Sequence, residues 1–215
     1  NQCVLKSQTD IEAFNTQNIE HEYIVEKWIP FDREVSQVSV RSENGDIFHY
    51  PLAQNTHEQG ILKRSIAPAP NTSTQTTAAA QAMISRILDE LDYVGVLAME
   101  CFLVGDELLV NELAPRVHNS GHWTQAGAQT CQFENHVRAI TGFKPGSTHT
   151  NGVTGMLNLI GLGESPLEHM SGYCSVHWYG KTQRAGRKAG HINFSGLDYD
   201  QLTTEMEKLS EHLES

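Results

Sequence analysis

Asn111-Glu112-Leu113-Ala114-Pro115-Arg116-Val117-His118-Asn119-Ser120-Gly121-His122-Trp123-Thr124 gathers a carboxylate, a guanidinium, two imidazoles and several amides and hydroxyls in one run. Proline and glycine interrupt it, so it reads as a strand end leading into a loop. A core strand does not need that chemistry; a site that holds a metal, an anion and a small substrate does. Upstream, Val94-Gly95-Val96-Leu97-Ala98-Met99-Glu100 and Cys101 to Val110 read as two apolar strands around a Gly-Asp turn. A three-residue loop, Gly105-Asp106-Glu107, puts Glu100 opposite Glu112 on one face. A two-residue loop puts them on opposite faces unless a bulge intervenes. Two carboxylates side by side repel unless a cation or a shared proton lies between them. Hard oxygen ligands favour magnesium, which keeps its other positions for water and phosphate oxygens. An acidic hairpin with solvated ends is the plainer reading of the same two residues.

Working outward, the chain reads as α+β. Strands are predicted at 21–28, 34–41, 46–50 and 61–66, with a turn at Glu43-Asn44-Gly45. A loop at 67–73 feeds a helix in which Met83, Ile84, Ile87, Leu88 and Leu91 fall at helical spacing. After the hairpin and the site loop come a helix through Phe133, Val137 and Ile140, strands at 152–160 and 175–179, and a last helix over 198–213. The net charge of −11 argues against a general nucleic-acid or anionic-membrane binder. No apolar stretch is long enough to cross a bilayer. Cys3, Cys101, Cys131 and Cys174 are widely spaced, as reduced thiols of a cytoplasmic protein are.

Glu100, a short hairpin and the Asn-Glu-x-Ala-Pro-Arg-Val-His-Asn-Ser-Gly-His-Trp-Thr run resemble the carboxyl-terminal half of the ATP-grasp ligases, and among them the PurK-type carboxyaminoimidazole ribonucleotide synthases. Glu26-Lys27-Trp28-Ile29, Glu34-Val35-Ser36, Tyr50 to His57 and Gly186 to His191 agree in the same order. The resemblance implies an ATP-grasp fold: a mixed or antiparallel sheet with packed helices over 1–145, and a small β-rich, substrate-phosphate-binding part over 146–215. It also implies that the family's amino-terminal domain and glycine-rich lid loop are absent from these 215 residues. The residues 1–6 resemble the strand that follows that loop.

The implied activity is ATP- and bicarbonate-dependent carboxylation of aminoimidazole ribonucleotide in purine biosynthesis, by a cytoplasmic homodimer using ATP and Mg2+. By resemblance, Glu26, Lys27, Trp28 and Ile29 hold the adenine through backbone groups, Glu34 takes the ribose hydroxyls, and His57, Asn111 and Glu112 contact the nucleotide. Glu100 and Glu112 are the metal ligands. Arg116 would grip bicarbonate or carboxyphosphate with its planar fork, and His118 and Asn119 would orient that anion or move a proton. Lys181, Arg187 and Lys188, in the chain's dense basic cluster, are assigned to the 5′-phosphate. Ala185 stands where a proline is common in relatives, which leaves the loop geometry open. His57 reads as a loop residue.

Three alternatives stand beside this reading. One is a formate-using glycinamide ribonucleotide transformylase, which shares the Glu…Asn-Glu…Ala-Pro-Arg skeleton. Another is a binding or dimerisation module without turnover. A zinc site at His118 and His122 is the third, but it needs a helix and the Asn-Ser-Gly between them favours a loop. Lacking the lid that excludes water, the chain alone is expected to turn over slowly or not at all. ADP release in bicarbonate and magnesium checks this.

Overall fold

The computed structural model describes residues 3–16, 22–162, 172–182 and 184–214, and the chain divides into two compact units, Asn1–Pro30 and Phe31–Ser215. The first contains the helix α1 (Gln8–Thr16). Its start is a reciprocal cap: the Asp10 carboxylate accepts from the backbone N–H of Lys6 and Ser7, and the Ser7 hydroxyl accepts from Asp10 N. Phe14 and Tyr23 meet edge to face at 5.2 Å. Residues 3–6 and 22–28 carry no strand, which corrects both expectations there; Asn1, Gln2 and His21 lie outside the described residues. A strand is a paired state, and the apolar run Tyr23-Ile24-Val25 has no ladder partner among the described residues. Glu26, Lys27 and Trp28 of the expected adenine hinge are exposed and Ile29 is half-buried.

The second unit is one antiparallel sheet. Its strands are β1 (Arg33–Arg41), β2 (Ile47–His49), β3 (Ala53–Glu58), β4 (Ile61–Ala67), β5 (Gly95–Val104), β6 (Glu107–Ala114), β7 (Val153–Ile160), β8 (Cys174–Trp178) and β9 (Lys188–Leu197). They run in the order β6-β5-β1-β3-β4-β7-β9-β8, with β2 added to β1. The helices are α2 (Thr74–Glu90), α3 (Thr124–Gly127), α4 (Gln132–Ile140) and α5 (Tyr199–Glu214), with a 3-10 turn at Asn119–Gly121. None among the described residues is long and apolar enough to cross a membrane.

Side chains alternate across a strand, so each strand serves two layers. On one face Val35, Leu97, Met99 and Cys101 pack on Ala80, Ile84 and Leu88 of α2, which Ser73 caps through Thr76 N. Further along the same face Leu157, Leu159, Ile192 and Phe194 pack on Leu202, Met206 and Leu209 of α5. The opposite face holds Val38, Val40, Val96, Ala98 and Met156 under Trp123 and Ala139. Tyr50 joins this layer: its ring meets Trp123 edge to face, and its hydroxyl donates to Thr130 O at 2.8 Å while accepting from Asn135 Nδ2 at 2.7 Å.

That opposite face changes character along each strand. β1 goes from Val40 and Val38 to Ser36 and Glu34; β5 goes from Val96 and Ala98 to Glu100; β6 goes from Ala114 to Glu112. The helical cover lies over the apolar end, and the polar end becomes the site. Two strands were not foreseen. β3 contains His57, which therefore lies on a strand and not in a loop; it pairs with β4 across a register shift at Thr56/His57. Its polar Gln-Asn-Thr-His sequence, half-buried to buried, conceals a strand. β9 begins at Lys188, so the basic loop ends one residue earlier than its charges suggest.

Tyr50→Phe removes a buried hydroxyl that joins two partners, and is expected to cost about 1–3 kcal/mol. Urea unfolding of the two proteins checks it.

Candidate active site

The hairpin geometry decides whether a metal pair can exist. Val104 pairs with Glu107, so the turn is two residues, Gly105-Asp106, with Gly105 at φ +58°. By that register alone the two glutamates would lie on opposite faces. Cys101 pairs with Val110, however, while Glu100 pairs with Glu112, so Asn111 is an extra residue. This bulge turns Glu112 onto the face of Glu100. Asn111 itself is exposed on it.

Glu100 is 9% exposed, and its Oε1 has no hydrogen-bond partner. Burial raises its pKa, Glu112 and Glu34 raise it further, and His57 and Arg116 oppose them. A buried carboxylate oxygen without a partner beside a second carboxylate is a setting that a divalent cation relieves, and the residues present fit magnesium. Among the described residues no three His, Cys, Asp or Glu side chains form a ready metal cage. Two carboxylates with positions left for water and phosphate are what magnesium takes; four-ligand zinc is not specified. His118 and His122 also point to different partners, as described below.

Glu34 lies across from Asn55, and its Oε2 meets His57 Nδ1 at 2.8 Å. Burial works against the His57 charge, but the Glu34 hydrogen bond and the surrounding carboxylates prevail and raise its pKa. The two expected nucleotide-contacting residues are thus brought together.

Arg116 is exposed, donates to Val117 O at 3.0 Å, and forms no ion pair with Glu112 among the described residues. Its guanidinium is therefore available to an anion. Its field nonetheless reaches Glu100 and His118. His118 is neutral: burial first, then Arg116, His57 and Lys188, bring its pKa down to about 4. Ser120 N donates to His118 Nδ1, so that nitrogen is an acceptor and the ring proton resides on Nε2. The 3.5 Å approach of His118 to Glu100 is accordingly not an ion pair.

One residue that sequence reasoning missed holds this loop in place. Gln132, fully buried at the start of α4, accepts from His118 N at 3.0 Å and donates to His118 O at 2.7 Å. A Cβ at position 121 would lie 2.5 Å from Gln132 Oε1, so glycine there admits the clamp. Nothing in a glutamine opening an amphipathic helix signals that role.

The basic cluster divides. Arg187 and Lys181 are exposed; Gln183 lies outside the described residues. Lys188 instead turns inward, donating to Asn119 Oδ1 and to His122 Nδ1. Burial, reinforced by Lys181, lowers its pKa to about 7. Burial and Lys188 together bring His122 down to about 2. Lys188 thus ties the start of β9 to Asn119, beside His118. Gly190 permits the strand pairing behind it, since a Cβ there would lie 2.5 Å from His177 O.

With this geometry in place, the family models agree. The model described as "ATP-grasp domain" matches residues 1–133. The chain belongs to the ATP-grasp family. A second model, "Phosphoribosylaminoimidazole carboxylase C-terminal domain", matches residues 154–205. The chain is 50% identical to the N5-carboxyaminoimidazole ribonucleotide synthase of Vibrio cholerae over 91% of its own length and 53% of the relative's. It therefore spans about half the length of the curated relatives it matches. The crystal structure of the Thermus thermophilus synthetase is 49% identical with a TM-score of 0.83, covering 86% of this chain and 52% of that one. An Aspergillus clavatus synthase in complex with ADP and 5-aminoimidazole ribonucleotide is 30% identical with a TM-score of 0.87, covering 97% and 58%.

A lysine with a pKa near 7 in the folded chain and 10.5 when unfolded binds fewer protons folded between those values. Its contribution to stability therefore improves as pH rises from 7 towards 10.5 and is most unfavourable below 7. Lys188→Met is expected to gain stability relative to the parent chain at pH 6.5 and to lose most of that advantage by pH 9.5. Urea unfolding at both pH values checks it.

Proposed function

We propose that this chain carries the metal-, anion- and phosphate-handling part of an ATP-dependent ligase. That ligase carboxylates 5-aminoimidazole ribonucleotide with bicarbonate to give 5-(carboxyamino)imidazole ribonucleotide. The observation that carries the reading is convergence: the Glu100–Glu112 pair, the unpaired Arg116, the neutral His118 and the inward Lys188 meet around one loop, 114–122. A relative bound to ADP and the ribonucleotide supports the substrate assignment.

Magnesium held by Glu100 and Glu112 would neutralise the triphosphate for in-line transfer of its γ-phosphoryl group. Glu26 to Ile29 would take the adenine, Glu34 the ribose hydroxyls, and His57 and Asn111 the nucleotide nearby. Bicarbonate oxygen attacks the γ-phosphorus, the bond to the β-phosphate oxygen breaks, and ADP leaves. Arg116 holds the carboxyphosphate through paired hydrogen bonds. The exocyclic amine then attacks the carboxyl carbon, or the carbon dioxide released from it, and phosphate leaves. The departing phosphate takes the amine proton, while neutral His118, with its proton on Nε2, and Asn119 orient the anion. Lys181 and Arg187 grip the 5′-phosphate, with Lys188 between that group and Asn119. In this reading 1–145 handles the nucleotide and anion and 146–215 the substrate phosphate, within a cytoplasmic homodimer.

ADP release by this chain, with the amino-terminal half of a relative supplied, is expected to need magnesium, bicarbonate and the ribonucleotide. Arg116→Ala is expected to lower that release by about a hundredfold or more. Release indifferent to the ribonucleotide and to Arg116 would leave the motif as scaffold.

A further inference from the structure

The cations of the substrate-phosphate loop do not stand alone. Lys181 Nζ lies 4.9 Å from the centre of the Tyr179 ring and Lys188 Nζ lies 5.6 Å from the same centre. Among the described residues, neither forms an ion pair with a carboxylate. In a chain of net charge −11, two lysine side chains thus lie against one aromatic ring without a carboxylate partner among the described residues. An ammonium is attracted to the face of an aromatic ring, which partly offsets the repulsion between the two.

The ring is itself held. Tyr179 OH meets His191 Nδ1 at 2.6 Å, and His191 Nε2 meets Gln125 Oε1 at 2.8 Å. An amide oxygen only accepts, so His191 Nε2 carries the proton and Tyr179 donates to Nδ1. His191 is 2% exposed and its ring lies 4.5 Å from that of His122 and 4.5 Å from that of His177. Such a ring has no freedom to turn. Burial first, then Lys188 and His177, bring its pKa down to about 3, so it stays neutral through the working range.

We infer that Tyr179, locked by the Gln125–His191 relay, is a positioning residue that presents Lys181 and Lys188 as a pair to a phosphate monoester dianion. This rests on the substrate-phosphate reading of the loop and adds the part that arranges it. A dianion between the two ammonium groups would cancel their mutual repulsion, which a single lysine on a free loop could not exploit.

The test uses the 215-residue chain and ribose 5-phosphate, with ribose as the uncharged control, followed through the lysine ε-methylene signals by NMR. In the parent chain those of Lys181 and Lys188 are expected upfield of free lysine, shifted by the Tyr179 ring, and to move when ribose 5-phosphate is added but not ribose. Tyr179→Leu is expected to weaken binding by about tenfold, and Tyr179→Phe, which keeps the ring but loses the His191 hydrogen bond, by less. If the parent chain binds no ribose 5-phosphate, the substrate-phosphate reading fails. If it binds, and the leucine variant binds as tightly, the platform is overturned while that reading stands. Lysine signals at free-lysine positions in the parent chain would overturn the platform even if the leucine variant does not fold.

Discussion

A single extra residue in one strand underlies the arrangement of this site. The β5–β6 turn is as short as a hairpin allows, and that register separates Glu100 from Glu112 onto different faces. Asn111 bulges out, the register shifts by one, and the carboxylates become neighbours. From there the rest follows electrostatically. Two adjacent carboxylates, one of them buried with an unpartnered oxygen, create a demand for positive charge. Arg116 supplies part of it from the following loop, and its unpaired guanidinium is still able to take an anion.

The second constraint is how positive and neutral groups share a small space. His118, His122 and His191 are all kept neutral by burial and by the nearby Arg116 or Lys188 charge. Neutral imidazoles can accept hydrogen bonds where charged ones would repel the lysines. Lys188 is the counterpart: it is drawn inward until its ammonium is only weakly favoured, and its partners are an amide oxygen and an imidazole nitrogen, not a carboxylate. The cost of such burial falls on stability and the benefit on the site.

Much of the scaffold was legible because its signals are local. α2 shows in the helical spacing of Ile84 and Leu88, and β5 shows in its apolar run. The elements that escaped have polar faces serving the site. β3 reads Gln-Asn-Thr-His because half of it lines the acidic end, and its other half alone is too short a pattern to announce a strand. The run at 22–28 is the converse: it has the composition of a strand and no partner among the described residues.

Residue chemistry was therefore determined by sequence alone: which groups can ligate a cation, grip an anion or accept a proton, and that they crowd into the 100–122 and 181–191 stretches. Which of them meet was decided by tertiary structure. The hairpin register could be written two ways until the bulge resolved it. Gln132 clamps His118 from 14 positions away, Lys188 reaches Asn119 across 69, and Gln125 reaches His191 across 66. Such distances carry no periodic signal along the chain. They are set by which strands pair and which helix covers them, so the partners of a side chain emerge only once the sheet is assembled.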